Sequence, residues 1–360
     1  MFNRPLHGGN IAWAAALVGC SPDAILDFSA SINPLGPPES VIAAIKSHLP
    51  KLTAYPDPDY HQLRLSLSEV HQVPPDWILP GNGSAELLTW AGWDLSVLER
   101  TFLITPAFSD YWRALKAFNA SVVELPLLSA GGEAIGLEFL DWKKLTSSSL
   151  NNGLLLNNPH NPTGKLFCKE TIEPLLERFA LVVVDEAFMD FLPPNREQSL
   201  IPLVREFPNL VILRSLTKFY SLPGLRLGYA IAHPDRLKRW QTRRDPWPVN
   251  VLAAAAAAAA INDRVFQQQT WNWLQVSGIK LFQGLADLPG LKPYESAVNF
   301  LLVKSAVSSC LLQEKLLQES QILIRDCLSF PELGDRYFRI AIRSPTDNQR
   351  LIAGLAKILS

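Results

Sequence analysis

Gly153-Leu154-Leu155-Leu156 runs into Asn157-Asn158-Pro159-His160-Asn161-Pro162-Thr163-Gly164. After it come the amphipathic segment Lys169–Arg178 and then Leu181-Val182-Val183-Val184-Asp185-Glu186-Ala187-Phe188. Two short apolar runs enclosing one helix-length segment read as strand, helix, strand. Unbroken apolar runs, rather than alternating ones, suit strands buried on both faces of a parallel sheet. The same rhythm extends in both directions. Thr101–Thr105 and Ser121–Leu125 precede the unit, Leu210–Leu213 and Gly228–Ala232 follow it, and Ser84–Leu95 is a further helical segment. The expected fold is α/β, with a mostly parallel central sheet flanked by helices and a ligand site in the loops beyond the strand C-termini.

The ends of the chain follow a different pattern. After the alanine-rich Val251–Ile261 comes a long helical stretch, a strand-like Asn299–Val303, a second helix, a closing strand Tyr337–Ile342 and a final helix Thr346–Leu359. A large α/β domain over residues 48–261 is expected, with residues 1–47 and 262–360 forming a smaller α+β domain that begins in an N-terminal arm. The 360 residues carry 33 basic and 34 acidic side chains, so no basic excess points to nucleic acid. Met1 to Asn10 lacks the apolar run of a signal peptide, and Val251–Ile261 is too short to span a bilayer. Cys20, Cys168, Cys310 and Cys327 show no paired spacing. They read as buried free thiols of a cytoplasmic protein, with neither disulfide nor metal site.

Four stretches carry candidate chemistry. Gly81-Asn82-Gly83-Ser84-Ala85-Glu86 lies between a strand-like Trp77–Leu79 and a helix. It is either a tight turn or a place where backbone amides meet an anion. The Asn157–Gly164 loop places asparagine amides at a strand end, as a plain turn also would. Asp185 is either a helix N-cap or a carboxylate partner for a cationic nitrogen. Ser215-Leu216-Thr217-Lys218-Phe219-Tyr220 precedes Pro223-Gly224-Leu225-Arg226-Leu227-Gly228. A lone lysine after a strand is usually solvated, but one among apolar and small residues can have a lowered pKa and form an imine.

Taken together and in order, these stretches resemble the pyridoxal 5′-phosphate (PLP) dependent aminotransferase superfamily of fold type I, class I/II. The resemblance runs from about His7 to the C-terminus. It implies that Lys218 holds PLP as an imine and later moves protons, and that Asp185 pairs with the protonated ring nitrogen. It implies that Asn161 bonds the ring 3-oxygen and that Phe108 stacks on the ring. Gly83, Ser84 and Ala85 would receive the phosphate, with Ser215 and Arg226 completing the cage. Tyr55, in Tyr55-Pro56-Asp57-Pro58, resembles a tyrosine that reaches the phosphate across a subunit interface, which implies a homodimer with shared active sites. Arg339 resembles the arginine that takes the substrate carboxylate.

Two branches of the superfamily are nearest, the threonine-phosphate decarboxylases and the histidinol-phosphate aminotransferases. Both act on phosphorylated small molecules, and Arg325 matches the position of a substrate-phosphate arginine. His7-Gly8-Gly9-Asn10 resembles the decarboxylase opening, where a histidine on an arm closes over substrate; without that likeness His7 is only a terminal residue. Asp27-Phe28-Ser29-Ala30-Ser31-Ile32-Asn33-Pro34-Leu35-Gly36 also resembles the decarboxylases, with Ser31 and Ile32 beside the substrate. Phe188 stands where most aminotransferases carry a tyrosine, which leaves Asn161 alone on the ring oxygen. Arg343 is expected on the same strand face as Arg339 by alternation. The expected reaction is decarboxylation of L-threonine O-3-phosphate to 1-amino-2-propanol O-2-phosphate in cobamide synthesis. Transamination of histidinol phosphate or a related amino acid is the alternative, and a non-catalytic binding module is a more distant one.

Overall fold

The computed structural model describes residues 4–127, 137, 140 and 151–359; residues 1–3, within the expected N-terminal arm, lie outside them. In chain order the strands are β1 (Leu26–Asp27), β2 (Ile78–Gly81), β3 (Arg100–Thr105), β4 (Val122–Pro126), β5 (Asn152–Asn157), β6 (Leu181–Asp185), β7 (Leu210–Ser215), β8 (Gly228–Ala232), β9 (Leu291–Pro293), β10 (Phe300–Ser305), β11 (Ile322–Leu323), β12 (Arg325–Asp326) and β13 (Tyr337–Ala341).

Seven of them form the central sheet, in the order β2-β8-β7-β6-β5-β3-β4. β4, β3, β5, β6 and β7 are mutually parallel, while β8 runs antiparallel to both β7 and β2. Every residue of β5, β6, β7 and β8 is buried. Alternation divides β6 between two cores, with Val182 and Val184 facing one and Leu181 and Val183 the other. This is the doubly covered α/β sheet expected from the apolar runs.

Several local expectations needed revision. The helix expected over Lys169–Arg178 is α-helical only from Lys169 to Ile172 and then tightens to a 3₁₀ turn at Glu173–Leu175. Pro174 cannot supply the backbone donor that would continue it. Ser84–Ser96 and Val251–Asn262 are helices as expected, and Ala253, Ala256, Ala257 and Ala260 are buried. The cysteines are all free, but only Cys327 is buried, and Cys168 is exposed.

A second sheet, β12-β13-β10-β9, is antiparallel, and β1 pairs with β11 beside it. Phe28, Leu301, Val303, Phe338 and Ile340 meet Leu281, Leu316 and Leu351 from the helices Arg264–Ala286, Ser309–Ser320 and Pro345–Leu359. Among the described residues no helix is long and apolar enough to cross a membrane.

Candidate active site

The C-terminal ends of the parallel strands open into a cavity of about 300 Å³. β6 delivers Asp185, the end of β7 delivers Ser215, the turn after it delivers Thr217 and Lys218, and the loop after β5 delivers Asn161. Phe108 arrives at the start of the helix Ser109–Lys116, Ser84 and Ala85 at the start of Ser84–Ser96, and Arg339 from β13. Phe188, Arg226, His7 and Ser31 complete the expected residues along its wall.

The anion cradle is built by close backbone approach. Gly83 has φ +77, and a Cβ there would lie 2.7 Å from Arg226 Nη2. A Cβ on Gly228 would lie 2.5 Å from the Ser84 nitrogen. Only glycine allows the start of β8, the helix start and the arginine to crowd one point. The Ser215 and Thr217 hydroxyls stand 2.8 Å apart beside them.

Lys218 is half-buried, and among the described residues its ammonium group makes no hydrogen bond. Burial lowers its pKa to about 8, helped by the positive charges of Arg339 and Arg226 and opposed by Asp185. Asp185 accepts from the Tyr111 hydroxyl at 2.8 Å and from the Ala187 N–H at 3.0 Å. Burial nevertheless pushes its carboxyl above the ordinary range. Asn161 Oδ1 accepts from Arg339 Nη1, which leaves the Asn161 amide NH₂ as its donor. Arg339 also donates to the Ser29 carbonyl at 3.3 Å and lies 5.0 Å over the Phe300 ring, while its Nε is buried without a partner among the described residues. Phe188 meets Phe300 edge-on at 5.1 Å and presents only carbon to the cavity. The Ser31 hydroxyl is buried and unpartnered among the described residues.

His7 is exposed at the cavity mouth, 5.4 Å from the Phe108 ring and 3.3 Å from the Ser109 hydroxyl. Desolvation on the side of the ring that faces the cavity lowers its pKa. Arg325 holds the arm beneath it, donating to the carbonyls of Pro5 at 3.1 Å and of Leu6, and to the Ser329 hydroxyl at 2.6 Å. Arg325, Ile32, Tyr55 and Arg343 do not line the cavity. β13 ends at Ala341, so Arg343 does not continue the strand face of Arg339. It turns to Asp347 at 3.2 Å and to the Asp27 carbonyl at 3.1 Å. Tyr55 is 78% exposed and stacks on Trp247 at 4.4 Å. Tyr111, Asp110, Ser29 and Asn157 also line the wall and were not anticipated. The Asn157 Oδ1 is buried without a partner among the described residues, and its place in the Asn-Pro loop was the one available sequence signal.

This fold and this site define a class. The chain belongs to the class I and II aminotransferase family, whose model matches residues 23–355. It is an enzyme family that uses PLP. The residues present fit that cofactor: a glycine-built anion cradle, an amine lowered to about 8, and a buried carboxylate suited to a cationic nitrogen.

Among individual proteins, the chain is 41% identical to the threonine-phosphate decarboxylase of Salmonella typhimurium, over 100% of this chain and 98% of that one. It is 32% identical to a histidinol-phosphate aminotransferase of Symbiobacterium thermophilum, over 91% and 88%. The L-threonine-O-3-phosphate decarboxylase structure from Porphyromonas gingivalis superposes with a TM-score of 0.80 at 28% identity, covering 92% of this chain and 98% of that one.

Proposed function

We propose that this protein decarboxylates L-threonine O-3-phosphate to 1-amino-2-propanol O-2-phosphate, serving cobamide synthesis. The observation that carries the reading is the full-length 41% identity with the Salmonella decarboxylase. When bound, the cofactor supplies an electron sink for the pair released as the bond from Cα to the carboxylate breaks. The chain's own residues do the rest. Lys218 would hold the cofactor covalently, and its side chain, in the ammonium form, would return a proton to Cα after CO₂ has left. Asp185 would pair with the ring nitrogen, Asn161 would donate to the ring oxygen, and Phe108 would cover the ring face. Gly83, Ser84, Ala85, Ser215 and Arg226 would hold the cofactor phosphate.

Arg339 orients the substrate carboxylate, with a buried Nε still open to it. Only the bond standing perpendicular to the ring is weakened, so this orientation selects the reaction. His7, Gly8 and Ser31 close the substrate end, and Arg325 supports that closure through the arm. The protein is further proposed to be a cytoplasmic homodimer in which Tyr55 completes the partner's phosphate cage. Residues 48–261 are proposed as the large domain, with 1–47 and 262–360 as the smaller one. The helix Glu39–His48 crosses that boundary, because Val41 packs into the core of the large sheet.

Purified protein supplied with PLP is incubated with threonine phosphate, and separately with histidinol phosphate and 2-oxoglutarate. Release of CO₂ from the first supports the proposal. Turnover of the second pair without CO₂ release from the first makes the enzyme an aminotransferase instead. The pyridoxamine form, accumulating when an amino donor is given alone, reports the same alternative.

A further inference from the structure

Asp185 is held from two sides by groups that belong to the protein. The Ala187 N–H donates to Oδ1 at 3.0 Å and the Tyr111 hydroxyl donates to Oδ2 at 2.8 Å. Tyr111 is 2% exposed, and its ring meets the Phe108 ring edge-on at 5.7 Å. Three positions separate Phe108 from Tyr111, one turn at the start of the helix Ser109–Lys116, so both side chains lie on the face turned toward the sheet. One side chain therefore touches both the carboxylate at the nitrogen edge of the ring site and the aromatic at its face.

We propose that Tyr111 is a positioning residue for the cofactor ring, bracing Phe108 against its face and donating to Asp185 so that the shared proton stays on the ring nitrogen. This rests on the reading that the cavity holds PLP. A carboxylate that accepts a hydrogen bond is a weaker base than a bare one. In a pair formed by a carboxylate and a pyridine nitrogen the proton resides with the stronger base, so weakening Asp185 keeps the ring cationic and electron-withdrawing. The groups facing Asp185 come from three elements. Burial opposes its ionisation and Asp110 adds to that, while Tyr111, the Ala187 N–H and Lys218 favour the anion. The Tyr111 phenol is itself pushed far up by burial and by Asp185, so it remains protonated and remains a donor.

The experiment is Tyr111→Phe, which keeps the ring and deletes the donor. The holoenzyme variant should show a shifted visible absorption band and a kcat lower by about tenfold, the scale of one hydrogen bond to a charged group. KM should change little, and the cofactor-free variant should keep the parent's far-UV circular dichroism. In cofactor-free protein carrying ¹³C-aspartate, the Asp185 carboxyl should titrate at a higher pH in the variant. Tyr111→Leu, which also removes the brace on Phe108, should weaken cofactor binding further. A Tyr111→Phe enzyme with the parental spectrum, kcat and Asp185 titration overturns the proposal while leaving the PLP reading standing. A parent protein that takes up no cofactor overturns that reading, and this inference with it.

Discussion

At the scale of single residues, Lys218 is where environment and chemistry meet. Its amine is lowered to about 8, first by burial and then by Arg339 and Arg226. Only the neutral amine carries the lone pair that attacks an aldehyde. Capture of PLP by the cofactor-free protein should therefore accelerate as pH rises through about 8 and then level off, as stopped-flow absorbance would record. Lys218→Ala should abolish turnover and leave a folded protein, because among the described residues the ammonium group makes no hydrogen bond; far-UV circular dichroism should match the parent. Phe188→Tyr should shift the cofactor's visible band by adding a donor beside the ring oxygen, and an unchanged spectrum would mean that residue 188 does not face the ring. Lys218, Asp185 and Asn161 were legible because each sits in a short motif after a strand. Tyr111 was not, since it meets Asp185 across 74 positions and only the folded sheet unites them.

At the scale of elements, the ends of β6 and β7 present their ligands on one side and a buried ion cluster on the other. Arg214, 1% exposed, lies 2.9 Å from Glu186, 2.6 Å from Asp190 and 2.7 Å from Glu197. Arg214 immediately precedes Ser215 and Glu186 immediately follows Asp185, so the cluster ties together the two strand ends that carry the site. Arg214→Met would leave Glu186 buried and unpaired, and should lower unfolding stability by about 3–5 kcal/mol, read from the denaturant midpoint. The strands themselves were legible as apolar runs. The reversal of β8 was not, because its Gly-Tyr-Ala-Ile-Ala composition is the same in either direction. The expected partnership of Arg343 with Arg339 failed for a related reason: alternation holds only while the strand lasts, and β13 stops two residues short.

At the scale of the whole molecule, the exposed Tyr55 and Trp247 pair is the feature that a single chain leaves unexplained. If Tyr55 serves the partner's site, Tyr55→Ala and Lys218→Ala proteins should each be impaired, yet regain activity when unfolded and refolded together. One site of the mixed dimer then holds both intact residues. No recovery would place Tyr55 outside the site. The α/β architecture was readable from strand rhythm alone, whereas the arm held by Arg325 and the second sheet depend on contacts between distant ends of the chain.

Catalysis by this site depends on a cofactor held covalently by one lysine. Reduction of the PLP-loaded protein with borohydride, followed by peptide mass analysis, tests it most directly. A phosphopyridoxyl adduct is expected on the peptide containing Lys218, and its loss in Lys218→Ala. An unmodified Lys218 peptide, or an adduct on a different lysine, would contradict it.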